Sequence, residues 1–266
     1  MSYNSALLKK LSMELPKADW TLDDFYELAV ELRKRDCYIS AYQPLWTSDY
    51  AWRYFDTYGT GTITDDGTML RKLLTITKKL IKENLLYKFA AGEEDYSKLP
   101  ENVLFGFTNA QTAFVYSRAD VIVYPTFDNE RDFCANTSFL QMNIHSQNKD
   151  AAATVIAEFM KPGGDYTNPL LGFMYYKDMS VYQLKMTPEQ ATKNGVMLND
   201  LTNMDEKTTQ NMALYLNILS HVNVKRTYLE WIRFAAAECE KYYNDEQDLD
   251  YTVEFIYNRA KLMLEE

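Results

Sequence analysis

The chain has two histidines and three cysteines in 266 residues. His145 and His221 stand about 76 residues apart, with no partner pattern near either, so neither a histidine base nor a histidine metal ligand is signalled. Cys37, Cys134 and Cys239 form no C-x-x-C pair, and three thiols cannot all pair within one chain. They read as buried thiols with no metal or redox role, and no cofactor is implied. No G-x-S-x-G, H-E-x-x-H, P-loop or G-x-G-x-x-G motif occurs. No apolar run approaches the ~18–20 residues of a membrane span. Met1 is followed by a polar, helix-like start and no apolar signal segment. A net charge of −10 leaves no basic excess to meet a phosphate backbone, which argues against a nucleic-acid partner.

What is present is the composition of a folded domain, 47% hydrophobic and 25% charged, long enough for one large or two smaller cores. Aromatics stand out: 21 Tyr, 13 Phe and 4 Trp. A tyrosine offers a ring face and a hydroxyl to a polar ligand, and it also packs the edges of a core. Most carboxylates (Asp23, Asp24, Glu27, Glu31, Asp65, Asp66, Glu238, Glu240) fall in helix caps or on solvated faces. They do not form a pair with the look of a glycosidase acid and base. The acidic run from Asn244 to Asp250 lacks the glycine and spaced glutamate of a calcium loop.

Periodicity gives an α/β, helix-rich reading. Asn4 to Met13 reads as a short helix with Leu7, Leu8 and Leu11 on one side. Thr21 is placed to cap the next helix, Asp23 and Asp24 suit its dipole, and Leu22, Phe25, Leu28, Ala29 and Leu32 share a face. Asp65 or Asp66 is expected to cap a helix carrying Leu70, Leu73, Leu74, Thr77, Leu80 and Ile81. After Pro100 the pattern changes. "DVIVY" and "SFLQMNI" have strand character, and a helix follows behind Ser146 or Asn148. Later stripes comprise Met212, Tyr215, Leu216 and Leu219; then Tyr228, Ile232, Ala235, Cys239 and Tyr242. The last is Leu249, Val253, Ile256, Ala260 and Leu264, behind Asp248.

Two aromatic groupings interrupt these patterns. Tyr42, Trp46, Tyr50, Trp52, Tyr54, Phe55 and Tyr58 crowd a segment that contains Pro44 and ends at Gly59. Trp231 stands at the start of a helix, on the margin of its apolar stripe. A tryptophan so placed either packs locally or offers its face to a ligand.

Four stretches, in order, resemble the carbohydrate-type extracellular solute-binding proteins of ABC importers, the family that includes maltose-binding protein. They are "YNSALLKKLSMELPKADWTLDDFYELAVEL", "DGTMLRKLLTITKKLIKENLL", "FLQMNIHSQNKDAAATVIAEFM" and "EWIRFAAAECEKYYNDEQDLDYTVEFIYNRAKLMLEE". The resemblance implies a periplasmic-binding-protein-like, type II, two-lobed trap that closes around its solute by a hinge. Residues 1–100 would be the first part of the second lobe, 101–165 a return segment into the first lobe, and 166–266 the second lobe's C-terminal helices. The family's export signal, often with a lipobox cysteine, and its βαβ-rich first lobe have no counterpart in the sequence, so a short or truncated form is expected.

On the same resemblance Trp231 matches a sugar-stacking tryptophan and Trp46 falls near a sugar-contacting aromatic, with Tyr42 and Tyr50 as helpers. Trp20 is expected to pack. The implied ligand is a saccharide or other small polar solute, and the implied partners are ABC permease subunits. The implied location is extracellular or at the cell surface, with membrane contact only through the permease or a lipid anchor not present in this chain. The competing expectations are a glycoside-acting enzyme with a carboxylate pair across an aromatic cleft, and a helical interaction protein with no small ligand.

Overall fold

In the computed structural model, the residues described are 1–17, 19–41, 54–56, 62–90, 100–106, 120–126, 133–135, 142–143, 145–160, 214, 222–224 and 229–265. They divide into two compact units. The first comprises Met1–Asn109, Ala119–Asn136 and His221–Glu266; the second comprises Ala110–Arg118 and Thr137–Ser220.

The first unit is helix-rich around a small mixed sheet. Its strands are β1 (Ser2–Tyr3), β2 (Tyr38–Ala41), β5 (Leu86–Tyr87) and β6 (Val103–Gly106), in the spatial order β1-β6-β2-β5. β2 runs parallel to both β5 and β6, and β1 lies antiparallel to β6. Two short pairs complete the strands. β3 (Phe55–Asp56) is antiparallel to β4 (Thr62–Ile63), and β7 (Phe133–Ala135) is parallel to β8 (Val222–Val224).

The helices of this unit are α1 (Ser5–Leu11), α2 (Leu22–Arg33), α3 (Thr68–Lys82), α5 (Leu229–Tyr243) and α6 (Leu249–Glu265). α2 begins where its cap dictates. Thr21 Oγ1 accepts the Asp24 amide at 3.3 Å, and Asp24 Oδ2 accepts the Thr21 amide at 2.7 Å, a reciprocal capping box. Leu22, Phe25, Ala29 and Leu32 are buried and Leu28 is half-buried, as the spacing predicts.

α3 uses both candidate aspartates. The Thr68 amide donates to Asp66, and the Met69 and Leu70 amides donate to the two oxygens of Asp65. Three of the helix's orphan donors are thereby satisfied. Gly67 occupies the cap position itself, at φ +101°, where a β-carbon would stand 3.3 Å from Val253 Cγ1. α3 packs against α2, α5 and α6, placing Leu70, Leu73, Leu74 and Leu80 in the core. Asp248 caps α6, its Oδ1 accepting the Tyr251 amide at 2.8 Å.

Trp20 packs, as expected. It is buried against Phe25 and Phe105, with ring centroids at 5.8 and 5.4 Å, and its Nε1 donates to the Val123 carbonyl at 3.0 Å. The same corner holds the chain around residues 121–126: the Thr126 amide donates to the Trp20 carbonyl, and the Leu22 amide to that of Thr126. "DVIVY" is not a ladder strand. Its neighbour β1 is two residues long, so Val121 makes one isolated antiparallel bridge, to Ser2. "SFLQMNI" lies mostly outside the described residues, and Met142 and Asn143 carry no strand.

In the second unit the described element is α4 (Lys149–Met160). The Ala152 amide donates to the Asn148 carbonyl at 3.0 Å, and the Asn148 amide to Ser146 Oγ at 3.2 Å. Asn148 therefore takes the cap position, with Ser146 ordering the turn before it. The stripe from Met212 to Leu219 lies outside the described residues.

Candidate functional site

The sheet directs attention to one edge. β2 is flanked by two parallel neighbours, and the chain leaves it in one direction through α3 to β5, then crosses to β6 on its other side. In open parallel α/β sheets, ligands lie outside the carboxyl ends of the strands, where such connections diverge. Here those ends are Ala41, Tyr87 and Gly106. The aromatic segment opening with Tyr42 leaves directly from Ala41.

Tyr42, Trp46 and Tyr50 lie outside the described residues. Tyr54, near the segment's end, is buried in the first unit's core. Trp231 is the third residue of α5 and is 1% exposed, one of the largest fully buried side chains. It belongs to the core cluster that also holds Ile232, Ala235, Cys239 and Tyr242. Both Trp231 and the start of the aromatic segment therefore belong to the first unit.

An aromatic row that the sequence reading did not single out runs from Tyr38, at the amino end of β2, to the edge strand β5 and Phe89 beyond it. Ala41 is in register with Tyr87 of the edge strand β5. The Tyr38 and Tyr87 rings meet edge to face at 5.5 Å, and Tyr87 meets Phe89 in the same way at 5.2 Å. The Arg33 guanidinium sits 4.9 Å from the Tyr38 ring centre, a favourable cation–π placement. All three aromatics are half-buried. The signal in sequence was the pair of aromatics two apart in "LLYKF", directly after a helix end.

The perturbed ionisable groups have structural partners. Hydrogen bonds from Lys78 and Lys82 hold the Asp245 carboxyl below its ordinary range, and Lys34 and Arg35 do the same for Glu31. A hydrogen bond to Thr68 lowers Asp66. The Glu83 carboxylate, accepting from the Tyr26 hydroxyl, raises that phenol, and Glu238 raises Lys241. These are a helix cap, pairs three or four residues apart along one helix, and ties between neighbouring elements. His145 is exposed at the turn before α4, and His221 lies outside the described residues. Cys37 and Cys239 are buried free thiols. Among the described residues no group of His, Cys, Asp or Glu is arranged to hold a metal ion. Among them, too, no helix is long and apolar enough to cross a membrane.

A helix-rich unit with a small mixed sheet, whose aromatic segment follows a strand's carboxyl end, is compatible with a small-molecule binder without being specific to one. The family comparison agrees: residues 1–165 match the model of the bacterial extracellular solute-binding proteins, and the chain belongs to that family. Among curated proteins none matches the chain. The matched stretch includes the helix α2 with its tryptophan-led cap, the three mutually parallel strands β2, β5 and β6 of the four-stranded sheet, and the aromatic segment between β2 and α3.

Proposed function

We propose that the chain is the solute-binding component of an ABC importer and that its solute is a mono- or oligosaccharide. The observation that carries this reading is the family match over residues 1–165, which takes in the whole aromatic segment after β2. Flat, polarisable rings suit the C–H face of a pyranose, and phenol and indole polar atoms suit its hydroxyls. In the proposed site Trp46 and Trp231 supply the stacking faces, with Tyr42 and Tyr50 as helpers. Trp231 is 1% exposed, so it joins the stack only where the solute displaces the side chains that cover it.

The proposed architecture is a periplasmic-binding-protein-like second lobe with residues 101–165 as a return segment. Closure about a hinge would follow from contacts that favour the closed form over the open one. The role is binding and delivery to permease subunits outside the membrane, with no catalytic step. The test is a titration of tryptophan fluorescence with maltotriose, cellotriose and xylotriose, on the natural chain and on Trp231→Ala. A saturable response that Trp231→Ala alters supports the site as drawn. Equal responses in both remove Trp231 from it, and no response to any of the three counts against the saccharide reading.

A further inference from the structure

We propose that the outer face of α6 is a self-association surface, on which a second copy of this chain docks its own α6 in parallel about a two-fold axis.

Of the five large apolar or aromatic side chains exposed among the described residues, three lie on α6: Tyr251, Phe255 and Leu262, at 51, 40 and 52%. The inward face of the helix is already occupied. Thr252, Val253, Ile256 and Ala260 are buried, and the Tyr257 hydroxyl donates to the Asp65 carbonyl at 2.7 Å. At about 100° per residue, Tyr251, Phe255, Asn258 and Leu262 share an arc of about 60° on the opposite side. Their steps of four, three and four are those of a coiled-coil seam. The rings are ordered before any partner arrives. Tyr251 stacks on Phe255 with centroids 5.6 Å apart, and Phe255 meets Phe234 of α5 at 5.7 Å. Rings held in place lose little freedom on docking.

Charge selects the occupant. Glu254 and Arg259 flank the seam on opposite sides. Both are exposed, and among the described residues neither makes an ion pair or a side-chain hydrogen bond. Other charges on the packed helices are held: Arg71 pairs with Asp250, Lys78 and Lys82 with Asp245, and Lys241 with Glu238. Five residues apart, Glu254 and Arg259 cannot pair along one helix, where partners stand three or four apart. Across two parallel helices in register that spacing is the one that pairs, Glu254 of each copy with Arg259 of the other. One chain therefore supplies both signs, and the two-fold axis makes two such pairs. Asn258 meets its own copy amide to amide, which fixes the register at some cost in strength. One helix face is small beside the ~1,200–2,000 Å² of a standard interface, so the expected dimer is weak and forms at micromolar or higher concentration. The pairing requires no solute.

Sedimentation equilibrium of the natural chain from about 5 to 500 µM tests this, with thermal melts confirming that each variant folds. The expected result is a reversible monomer–dimer equilibrium. Phe255→Ser and Leu262→Ser, both at exposed positions, should each weaken it about tenfold or more. Glu254→Arg and Arg259→Glu should each weaken it about tenfold or more, because like charges then face each other, and the double variant should return to within about threefold of the natural chain. A natural chain that stays monomeric throughout overturns the proposal and leaves the face to a different protein. Dimerisation untouched by both serine variants overturns it too. So does a double charge variant no stronger than its two singles, which would exclude the parallel register.

Discussion

Replacing Trp20 by phenylalanine tests how the first unit holds its chain around residues 121–126. The indole donates a buried hydrogen bond of 3.0 Å to Val123, so the substitution strands that carbonyl in the core. A buried acceptor left without its donor costs about 1–3 kcal/mol. The missing second ring leaves a void between Phe25 and Phe105, which adds roughly 1 kcal/mol by the usual cavity relation. For a unit of this size each kcal/mol lowers the melting temperature by about 2–4 °C, so Trp20→Phe should melt roughly 4–16 °C below the natural chain. Trp20→Ala should lose about 3–5 kcal/mol.

Hydrogen exchange localises the effect. The Thr126 amide donates to the Trp20 carbonyl and the Leu22 amide to Thr126, so these two should exchange faster relative to Ile39, which donates to Leu85 across the sheet. A Trp20→Phe chain that melts within 1 °C of the natural one, with unchanged protection at Thr126, would refute this account of the corner.

Three further outcomes follow from single residues. Gly67→Ala forces a side chain into a conformation at φ +101° and 3.3 Å from Val253, and should cost about 1–3 kcal/mol in a urea melt. Adding Val253→Ala should relieve the crowding but not the backbone strain. Ser40 Oγ is buried in β2 with no hydrogen-bond partner among the described residues, so Ser40→Ala should raise stability by about 1 kcal/mol, and a loss of that size would show that the hydroxyl is satisfied after all. Asp245 titrates below its unfolded value because Lys78 and Lys82 hold its charged form. Its contribution is therefore present above the unfolded carboxylate range, near pH 4, and lost as pH falls through the folded value. Asp245→Asn, compatible with the residue's positive φ, should flatten the acid limb of a stability–pH curve, most visibly at low salt.

Helices α2, α3 and α6 were legible in the sequence because cap and stripe agree at each. Thr21 with Asp24, Asp65 with Asp66, and Asp248 all satisfy first-turn amides, and the stripes behind them are the buried faces. That agreement is local, so one chain segment suffices to see it. The short strands were less legible. "DVIVY" has the composition of a strand, but pairing depends on what lies beside it, and its neighbour offers a single bridge. Trp231 shows the same limit from the other side. Its marginal position on α5 favoured local packing, the resemblance favoured ligand contact, and the burial of the ring comes from long-range packing that a helical wheel does not contain. The row of Tyr38, Tyr87 and Phe89 arises from the β2–β5 register, which joins residues nearly fifty positions apart.

The central claim is that the aromatic segment leaving β2 grips a saccharide. Calorimetric titration of the natural chain and of Trp46→Ala with the three trisaccharides tests it most directly. The account predicts saturable one-site binding of at least one trisaccharide, weakened tenfold or more by Trp46→Ala while the melting temperature stays within a few degrees. Binding of equal strength in both chains would contradict it, as would no binding in either.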